Sequence, residues 1–578
     1  MIKKRQLVYG ISSFLIFLIA SVYITFPLVF HLGDLVTGLG DELVIAWIQN
    51  WVIHSLTTNP FSLFEANIYY PYHNSLAFSD LFLTSSILSL IPLKIIGEPI
   101  ATVNFTLISS LVMLGFFTYL LIYYLTKDFC ISVLGGMLII FSPAVLDKVV
   151  HLQILSIQWV PLSILFFIIF IRTQKTRYLI LSLIVFLLQT YNSFLPGYFI
   201  VFSFLIIFLY SWFYDKKKTK KLITKKNILF IILSFILIIP IVIPYYSVSN
   251  EFAYTRDIRD AIHFAIQPED MLYPGSSTRL KDYLYSLPFN QSSQNGEFKP
   301  GYLGLVLSLL CIFALYYFIR NFKKNEFYVR SFITISLLGF VLSLGPVLHL
   351  GRQTIHKPFP IVLPYTLFYY ILPGFQGFRN SSRWEMLFIF GIVVVITLIL
   401  HNLFKRYSSK RKVIIYLLLF VGIIAEFSFP MHFEEIIQRK DFPLVYSWLA
   451  ITPRDTKIIE LPIYNWNMWP GTQNELLRQY YSTLHFRKMV NGYTGFSPPP
   501  WQNLVVNISK DFPSDDITKL LKQLNIDYIV IHKKEYDILS IDNWVKDKNG
   551  IDIVKVLYEN KSIRLIKKFG NDYVFRIN

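Results

Sequence analysis

The sequence predicts a polytopic α-helical membrane protein with about 11 transmembrane helices and a small C-terminal α/β domain outside the cytoplasm. Three observations support this fold class. Hydrophobic residues make up 54% of the 578 residues and charged residues only 16%, which is too apolar for an ordinary soluble domain. Apolar runs long enough to cross a bilayer recur along the chain. Lysine and arginine cluster in short segments between these runs, as in cytoplasmic loops of membrane proteins.

The predicted transmembrane helices follow the apolar runs in chain order. They lie near 7–30, 101–125, 129–147, 155–172, 177–193, 194–213, 227–246, 301–320, 330–350, 384–403 and 411–429. The first run follows Lys3, Lys4 and Arg5 and is too long for a typical signal peptide, with no small-residue cleavage site after it. We therefore expect an uncleaved first helix.

Hydropathy alone leaves one run, residues 79–97, undecided, because it is apolar but contains Pro92 and Lys94. If this run does not cross and the N-terminus is cytoplasmic, the cytoplasmic segments contain 23 Lys and Arg and three acids, a charge of +20. The rest of the chain then carries −2, since the total is +18. A crossing would move every later basic loop outside, against the positive-inside rule. We predict an interfacial or re-entrant helix at 79–97.

This topology divides the chain into two predicted domains. Residues 1–429 form a transmembrane domain whose first external loop, 31–100, carries interfacial helices. Residues 430–578 form an extracytoplasmic α/β domain. Its predicted strands are Lys457–Leu461, Asp527–His532, Ile563–Lys567 and Tyr573–Ile577, and a helix is expected at Asp515–Leu524 with Ser514 as N-cap.

Several classes of protein are disfavoured. The basic residues form short interhelical clusters rather than one continuous face, so nucleic acid is not an expected partner. Cys130 and Cys311 lie in apolar runs, which argues against a disulfide framework or a thiolate metal site. The sequence contains no Walker A, G-x-S-x-G or H-E-x-x-H motif, and so shows no sign of ATP-driven transport, α/β-hydrolase chemistry or zincin proteolysis.

The first external loop contains the strongest candidate for chemistry. In HLGDLVTGLGDELVIAWIQNW, glycines precede Asp41 and Glu42, which open a run that includes Trp47 and Trp51. This run predicts an amphipathic helix in the interface, with its tryptophans at headgroup depth. A carboxylate at its N-terminus suits a general base, although Asp41 could also serve simply as a helix cap.

The segment FSPAVLDKVVHLQ supplies a second candidate at the outer end of the third transmembrane helix. Asp147 and His151 are four residues apart and would share a helix face if the helix continues, with Gln153 just beyond. They could complete a polar site with the first-loop acids or merely form a solvated helix end. An Asp–His pair at this spacing is also a possible metal pair, but two ligands do not make a site.

Two arginines precede the predicted span at 384–403 in PGFQGFRNSSRW. Arg379 and Arg383 are four residues apart, and their guanidinium groups on one helix face would suit a lipid phosphate. Ordinary anchoring of a helix end is the alternative. The polar residues Asp34, His73 and Asp80 of the first external loop are further candidate substrate contacts.

The tail segment 479–501, QYYSTLHFRKMVNGYTGFSPPPW, is dense in aromatic residues, glycine and proline. Its aromatic faces could contact a sugar or a lipid, or they could form the packed core of the tail domain.

With these motifs, the chain resembles the GT-C superfamily of integral-membrane glycosyltransferases, which use polyprenyl-phosphate-linked sugars. GLGDELVIAW resembles the first-loop motif of that family, and this resemblance would make Asp41 the catalytic carboxylate. The helices expected at 41–57 and 79–97 resemble its juxtamembrane helices, and DKVVHLQ falls where its second external loop lies. The segments PGFQGFRNSSRW and NGYTGFSPP are also similar to those of a group of bacterial membrane proteins. Asp41-Glu42 replaces a D-x-D motif, and the first loop lacks the Lys-Pro motif of aminoarabinose transferases.

The resemblance implies an inverting, hexosyltransferase-type glycosyltransferase of the plasma membrane. Asp41 would be the base, with Glu42, Asp147 and His151 in the catalytic site. One of the two arginines would stabilise the leaving lipid phosphate. Its partners would be the lipid bilayer, a polyprenyl-phosphate-linked sugar donor, and a glycan, lipid or protein acceptor. No metal or other cofactor is expected. The alternatives are a lipid-linked glycan flippase or transporter and a non-catalytic envelope-assembly protein.

Overall fold

The protein is mostly helical. The structure, a computed structural model, describes residues 2–272, 301–321, 327–350, 353–354, 359–405, 407–426, 431–468, 471–539, 553–560 and 562–578. The sequence also predicts an external loop at 247–300, of which residues 273–300 lie outside the described residues.

The helices are numbered in chain order. Those up to residue 272 are α1 Ile2–Ile24, α2 Asp41–Thr58, α3 Leu83–Ile96, α4 Ala101–Thr126, α5 Phe129–Ile140, α6 Pro143–Leu146, α7 Leu152–Leu155, α8 Trp159–Thr173, α9 Thr176–Asn192, α10 Phe194–Tyr214, α11 Lys216–Lys220, α12 Lys225–Glu251 and α13 Ile258–His263. Those that follow are α14 Leu305–Arg320, α15 Phe327–Ser343, α16 Pro364–Ile371, α17 Glu385–Phe404, α18 Ser409–Glu426, α19 Leu444–Ala450, α20 Thr472–Tyr481, α21 Pro499–Asp511, α22 Asp515–Gln523, α23 Lys533–Leu539 and α24 Ile553–Glu559.

The strands form one five-stranded sheet and two short pairs. They are β1 Leu35–Val36, β2 His349–Leu350, β3 Gln353–Thr354, β4 Glu434–Glu435, β5 Lys457–Leu461, β6 Lys488–Met489, β7 Tyr528–His532, β8 Ile563–Phe569 and β9 Asp572–Ile577. The sheet has the order β6-β5-β7-β9-β8. In it β5 runs parallel to both β6 and β7, whereas β9 is antiparallel to β7 and β8. The strands and the helix predicted for the tail are thus confirmed, and the Ser514 side chain accepts from the amide of Ile517 at the start of α22.

The chain divides into two compact units. Unit 1 comprises residues 1–30, 106–240 and 254–431, and unit 2 comprises residues 31–105, 241–253 and 432–578. Unit 2 thus combines the first predicted external loop with the tail. The predicted domain division at residue 429 concerns the membrane boundary and stays a prediction.

Unit 1 contains most of the long apolar helices. Each of the 11 predicted transmembrane runs coincides with a helix or a pair of helices. Among the described residues, six helical segments are long and apolar enough to cross a membrane: Arg5–Ile24, Ala101–Thr126, Leu152–Thr173, Phe194–Tyr214, Lys225–Glu251 and Ser381–Phe404. The protein is therefore a polytopic helical membrane protein.

In unit 2, backbone pairing joins the first predicted external loop to the tail. Strand β1 pairs antiparallel with β4, and the amide of Tyr70 donates to the carbonyl of Met489 at 2.9 Å. Asn67 donates to the hydroxyl of Ser482 at 3.1 Å. The aromatic tail segment belongs to this core, since Tyr480 and Trp501 are fully buried. These two side chains therefore pack in the core of unit 2 and do not form an exposed aromatic surface.

Helix α3 has its polar face inside and its apolar face outside. Its 14 residues extend about 21 Å, which is shorter than a hydrocarbon core of about 30 Å. Ser86 and Ser89 are buried, and their hydroxyls donate to the carbonyls of Phe82 and Thr102. On the opposite face Ile87, Ile91 and Ile95 are 54, 68 and 79% exposed. This arrangement agrees with a helix that lies against lipid without crossing it.

The structure corrects the expectation for α2. Trp47 and Trp51 are buried inside unit 2 instead of lying exposed at headgroup depth. The indole of Trp47 donates to Asn67 at 2.9 Å, and that of Trp51 donates to the carbonyl of Leu63 at 2.8 Å. The reason is that α2 packs against both α3 and α20, so residues 42–53 are covered on all sides.

Candidate functional site

The loop before α2 is held in place by two sets of hydrogen bonds. The side-chain amide of Asn104 donates to the carbonyls of Leu32 and Leu35 at 2.9 and 2.7 Å. The amide of Ile436, next to β4, donates to the carbonyl of Asp34 at 3.0 Å. The acids that follow this loop therefore project from a fixed backbone, as a reacting group requires.

Asp41 and Glu42 open α2 but have different surroundings. Asp41 is exposed, whereas Glu42 is buried and its carboxylate accepts from the Thr37 hydroxyl at 3.0 Å. Burial raises the pKa of Glu42, hydrogen bonds from backbone amides and Thr37 oppose this, and the charge of Asp41 raises it further. A Cβ on Gly38 would lie 3.1 Å from a carboxylate oxygen of Glu42, so glycine leaves room for this side chain.

The other first-loop candidates lie apart from α2 in sequence. The imidazole of His31 contacts the carboxylate of Asp34 at 3.0 Å, and that of His73 contacts Glu65 at the same distance. Both contacts are at exposed or half-exposed positions, where an ion pair contributes little to stability. Asp80 is half-buried just before α3.

In unit 1 the structure corrects the expected helix face of Asp147 and His151. Helix α5 ends at Ile140, and α6 is a single turn begun by Pro143. Asp147 caps that turn, and His151, with φ −115° and ψ 66°, is not helical. The helix does not continue between them because residues 147–150 form turns. Gln153 lies in the following short helix, α7, and is half-buried.

A buried ion pair lies beside this turn. The ammonium of Lys148 is 3.5 Å from the carboxylate of Glu385, and both side chains are almost completely excluded from solvent. Glu385 is the first residue of α17 and follows directly on the 3-10 turn Ser381–Trp384. Asp147 and Asp270, also buried, are close enough for their charges to act on Glu385. Unit 1 thus contains a dense group of charges next to the candidate segment 147–153.

The structure also corrects the expected arginine pair. Asn380 begins a 3-10 turn, its side chain accepting from the amide of Ser382 at 2.9 Å. Arg379 therefore precedes the helical turns, and Arg383 lies within them, so the two do not share one helix face. Arg379 is 4.0 Å from Asp260 and lies over the ring of Phe264.

Two long helices begin with an acid near the candidate segments. In unit 2, α2 begins with an exposed Asp41 beside a buried Glu42, an arrangement suited to proton transfer. In unit 1, α17 begins with Glu385, whose partner is the buried Lys148. Within the described ranges, no three His, Cys, Asp or Glu side chains come together as metal ligands, and the absence of a metal stays a prediction.

Sequence reasoning missed Lys148, Glu385 and Asp270. The available signal for Glu385 was a single acid at the start of a long apolar run, because a charge there requires a partner. The partner itself could not be found, since Lys148 is distant in the chain.

Comparison with known proteins gives one family match. A family model described as "Domain of unknown function (DUF6311)" matches residues 41–424. No curated protein matches the sequence.

Among solved structures, three membrane glycosyltransferases are similar in structure over most of this chain. The oligosaccharyltransferase AglB from Archaeoglobus fulgidus has a TM-score of 0.43 at 12% identity, covering 99% of this chain and 74% of its own. A mutant arabinofuranosyltransferase AftD from Mycobacteria has 0.47 at 12%, covering 93% and 41%. ArnT from Cupriavidus metallidurans has 0.36 at 10%, covering 100% and 98%. These neighbours are of the superfamily that the sequence resembles.

Proposed function

This chain belongs to the DUF6311 family, and from its first-loop site we propose that it is a membrane glycosyltransferase using a polyprenyl-phosphate-linked sugar. The observation that carries the proposal is the start of α2, where Asp41 is exposed next to a buried Glu42 on a backbone fixed by Asn104. The resemblance of GLGDELVIAW to the first-loop motif of GT-C enzymes supports it.

In the proposed reaction, Asp41 takes the proton of an acceptor hydroxyl. The acceptor oxygen then bonds to the anomeric carbon of the sugar on the face opposite the phosphate, and the bond from that carbon to the phosphate oxygen breaks. The electron pair leaves with the lipid phosphate, so the configuration is inverted. The acceptor is a glycan, a lipid or a protein, and the transferred unit is a hexose-type sugar.

The other candidate residues take supporting roles in this proposal. Arg379 or Arg383 stabilises the charge that develops on the leaving phosphate, which is the place where electrostatic stabilisation is most effective. Asp147 and His151 orient the substrates. Further contacts come from Asp34, His73, Asp80 and Gln153.

The proposal includes the predicted topology. Eleven helices cross the plasma membrane, the N-terminus is cytoplasmic and the tail is extracytoplasmic. The charge of +20 on the short segments assigned to the cytoplasm supports this arrangement. The bilayer then supplies the lipid-linked donor to a site on the outer side.

The test compares two aspartates at the same helix position. Asp41 opens α2 and Asp515 opens α22, and both are exposed. With purified protein and a polyprenyl-phosphate sugar, we expect Asp41→Asn to slow donor consumption by at least about 100-fold, as loss of a general base does. Asp515→Asn should leave it unchanged. Equal rates for the two variants, with both folded, would exclude Asp41 as the base.

A lipid-linked glycan flippase is the second candidate, and one observation favours it. Transport pathways place ionisable residues among membrane helices, and the Lys148–Glu385 pair is such a group. Proteoliposomes containing a fluorescent lipid-linked sugar separate the two functions. Movement of the probe between leaflets that Glu385→Gln stops, without chemical change of the probe, would support the flippase.

A further inference from the structure

Unit 1 contains an apolar cavity that the proposed reaction does not use. It has a volume of about 330 Å³ and lies between α8, α9, α10 and the first half of α12. Its lining includes Phe167, Leu183, Phe204 and Ile231. The polar residue in the lining is Asn227, whose side chain accepts from Thr176 at 2.9 Å and donates to the carbonyl of Leu222 at 2.8 Å. Because that amide is already paired, the cavity suits hydrocarbon.

The outer wall of the cavity is a helix that faces the surroundings of unit 1. Over the N-terminal half of α12, apolar side chains such as Ile228, Leu229 and Ile232 are exposed. Residues 225–251 are also among the helices apolar enough to cross a membrane. An exposed apolar helix of this kind is surrounded by lipid, so a lipid chain can reach the cavity beside it.

One end of the cavity adjoins a group of lysines. Leu222 and Ile223 belong to the lining, and in the chain they lie directly between Lys221 and Lys225. Residues 216–226 contain seven lysines in all, every one exposed: Lys216, Lys217, Lys218, Lys220, Lys221, Lys225 and Lys226. Their position in the chain therefore places a dense positive charge at that end.

The lysine segment is held by specific contacts. The carboxylate of Asp215 accepts from the amide of Lys218 at 2.9 Å and so caps α11. The buried hydroxyl of Thr219 donates to the carbonyl of Ser211 at 2.8 Å. The side chain of Gln174 donates to the carbonyl of Lys218 at 3.3 Å. A segment fixed in this way loses little conformational entropy when it binds an anion.

We propose that this cavity binds an anionic phospholipid, with one acyl chain between α8, α9, α10 and α12 and its phosphate at the lysines of residues 216–226. Hydrocarbon fills an apolar cavity, and lysines next to a membrane attract anionic headgroups. The alternative is that the lysines only orient the protein in the membrane and select no lipid. The two differ in whether removal of the lysines changes which lipid stays bound.

Native mass spectrometry of the full chain, with phosphatidylglycerol and phosphatidylcholine added in equal amounts, measures this selection. We expect one phosphatidylglycerol to stay bound at a collision energy that removes phosphatidylcholine. The preference for phosphatidylglycerol should fall at least about tenfold in the triple variant Lys217→Gln, Lys218→Gln, Lys220→Gln, because each lysine contributes to the attraction. The control replaces Lys405, Lys410 and Arg411 by Gln, which removes the same charge from another basic segment and should change nothing.

A second pair of variants tests the cavity itself. Ile231 lines the cavity, whereas its neighbour Ile232 on the same helix does not. Ile231→Trp should fill the space and abolish retention of phosphatidylglycerol, and Ile232→Trp should not. Equal retention of both lipids by the starting protein would overturn the proposal. So would identical behaviour of the two charge variants, or of the two tryptophan variants, among proteins that elute as folded monodisperse species.

Discussion

At the scale of single residues, Lys148 and Glu385 depend on each other. Removing two charges from water is costly, and their mutual attraction offsets that cost only while both are present. Since Asp147 and Asp270 add further negative charge nearby, the lysine is the member of the group whose loss leaves the most uncompensated charge.

This dependence predicts a non-additive mutant cycle. Lys148→Met should destabilise the protein by about 3 kcal/mol, because it leaves a buried carboxylate without its partner. Glu385→Gln should cost less, and the double variant should be more stable than Lys148→Met alone. Thermal unfolding of the full chain in detergent measures these differences. Additive effects of the two substitutions would show that the two charges are not coupled.

Whether the role of a residue can be predicted from the sequence depends on whether its partners are near it in the chain. Asp41 could be singled out because its glycines and the helix after it are adjacent in the chain. The burial of Glu42 could not be predicted, because it depends on how the loop before α2 folds against that side chain. In this loop the Thr37 hydroxyl donates to the Glu42 carboxylate. The Lys148–Glu385 pair was out of reach for the same reason, because no local pattern indicates which distant charge a buried acid meets.

At the scale of elements, His532 connects three strands of the five-stranded sheet. From the end of β7, its two ring nitrogens contact Glu460 of β5 at 2.9 Å and Asp572 of β9 at 2.8 Å. Burial and the charge of Arg478 oppose protonation, but the two carboxylates outweigh them and raise the pKa of His532 to about 9. His485, buried in the same unit, shows the opposite effect: burial lowers its pKa to about 4.

The two histidines therefore predict opposite dependences of stability on pH. A histidine whose pKa is raised on folding stabilises the protein fully below about pH 6.5, and this stabilisation is lost as the pH rises towards 9. His532→Gln should thus cost about 3 kcal/mol more at pH 6 than at pH 10. For His485→Gln the cost should instead shrink as the pH falls from 6.5 towards 4.

Thermal unfolding followed by tryptophan fluorescence, from pH 4 to pH 10, compares both variants with the starting protein. The same trend for the two histidines would contradict the assigned charge states.

The elements themselves were largely predictable, but several of their ends were not. Alternating apolar residues predicted β5, β7, β8 and β9, because the period of a strand is local. The start of α17 agrees with the predicted run at 384–403 to within one residue. The break between α5 and α7 was missed, because it depends on a local signal, Pro143, that competes with a continuing apolar pattern.

At the scale of the whole molecule, the distribution of charge predicts orientation. The short segments assigned to the cytoplasm carry +20, and the remainder of the chain carries −2. Hydropathy located the 11 runs, each of which contains a helix in the structure, but it could not assign residues 79–97. The arrangement of α3, with its isoleucines outside and its serines inside, fits the prediction that this helix stays at the membrane surface.

Cysteine labelling checks this orientation. In a background of Cys130→Ser and Cys311→Ala, we expect His73→Cys in intact cells to react with a membrane-impermeant maleimide. Lys218→Cys should react only after permeabilisation, because its loop is cytoplasmic in the predicted topology. Both side chains replaced are exposed, so accessibility within the fold is not limiting. The reverse labelling pattern would invert the assignment of sides.

The pairing of the first loop with the tail has a consequence for how the protein is made. Asn67 donates to the carbonyl of Arg487, 420 residues later in the chain. At translation speeds of about 5–20 residues per second, that separation amounts to roughly 20–80 s during which the loop waits for its partner to leave the ribosome. Helix α2, with its buried tryptophans, then has no tail to cover it. A nascent chain halted before β4 should therefore require a chaperone at this loop, while the completed chain does not.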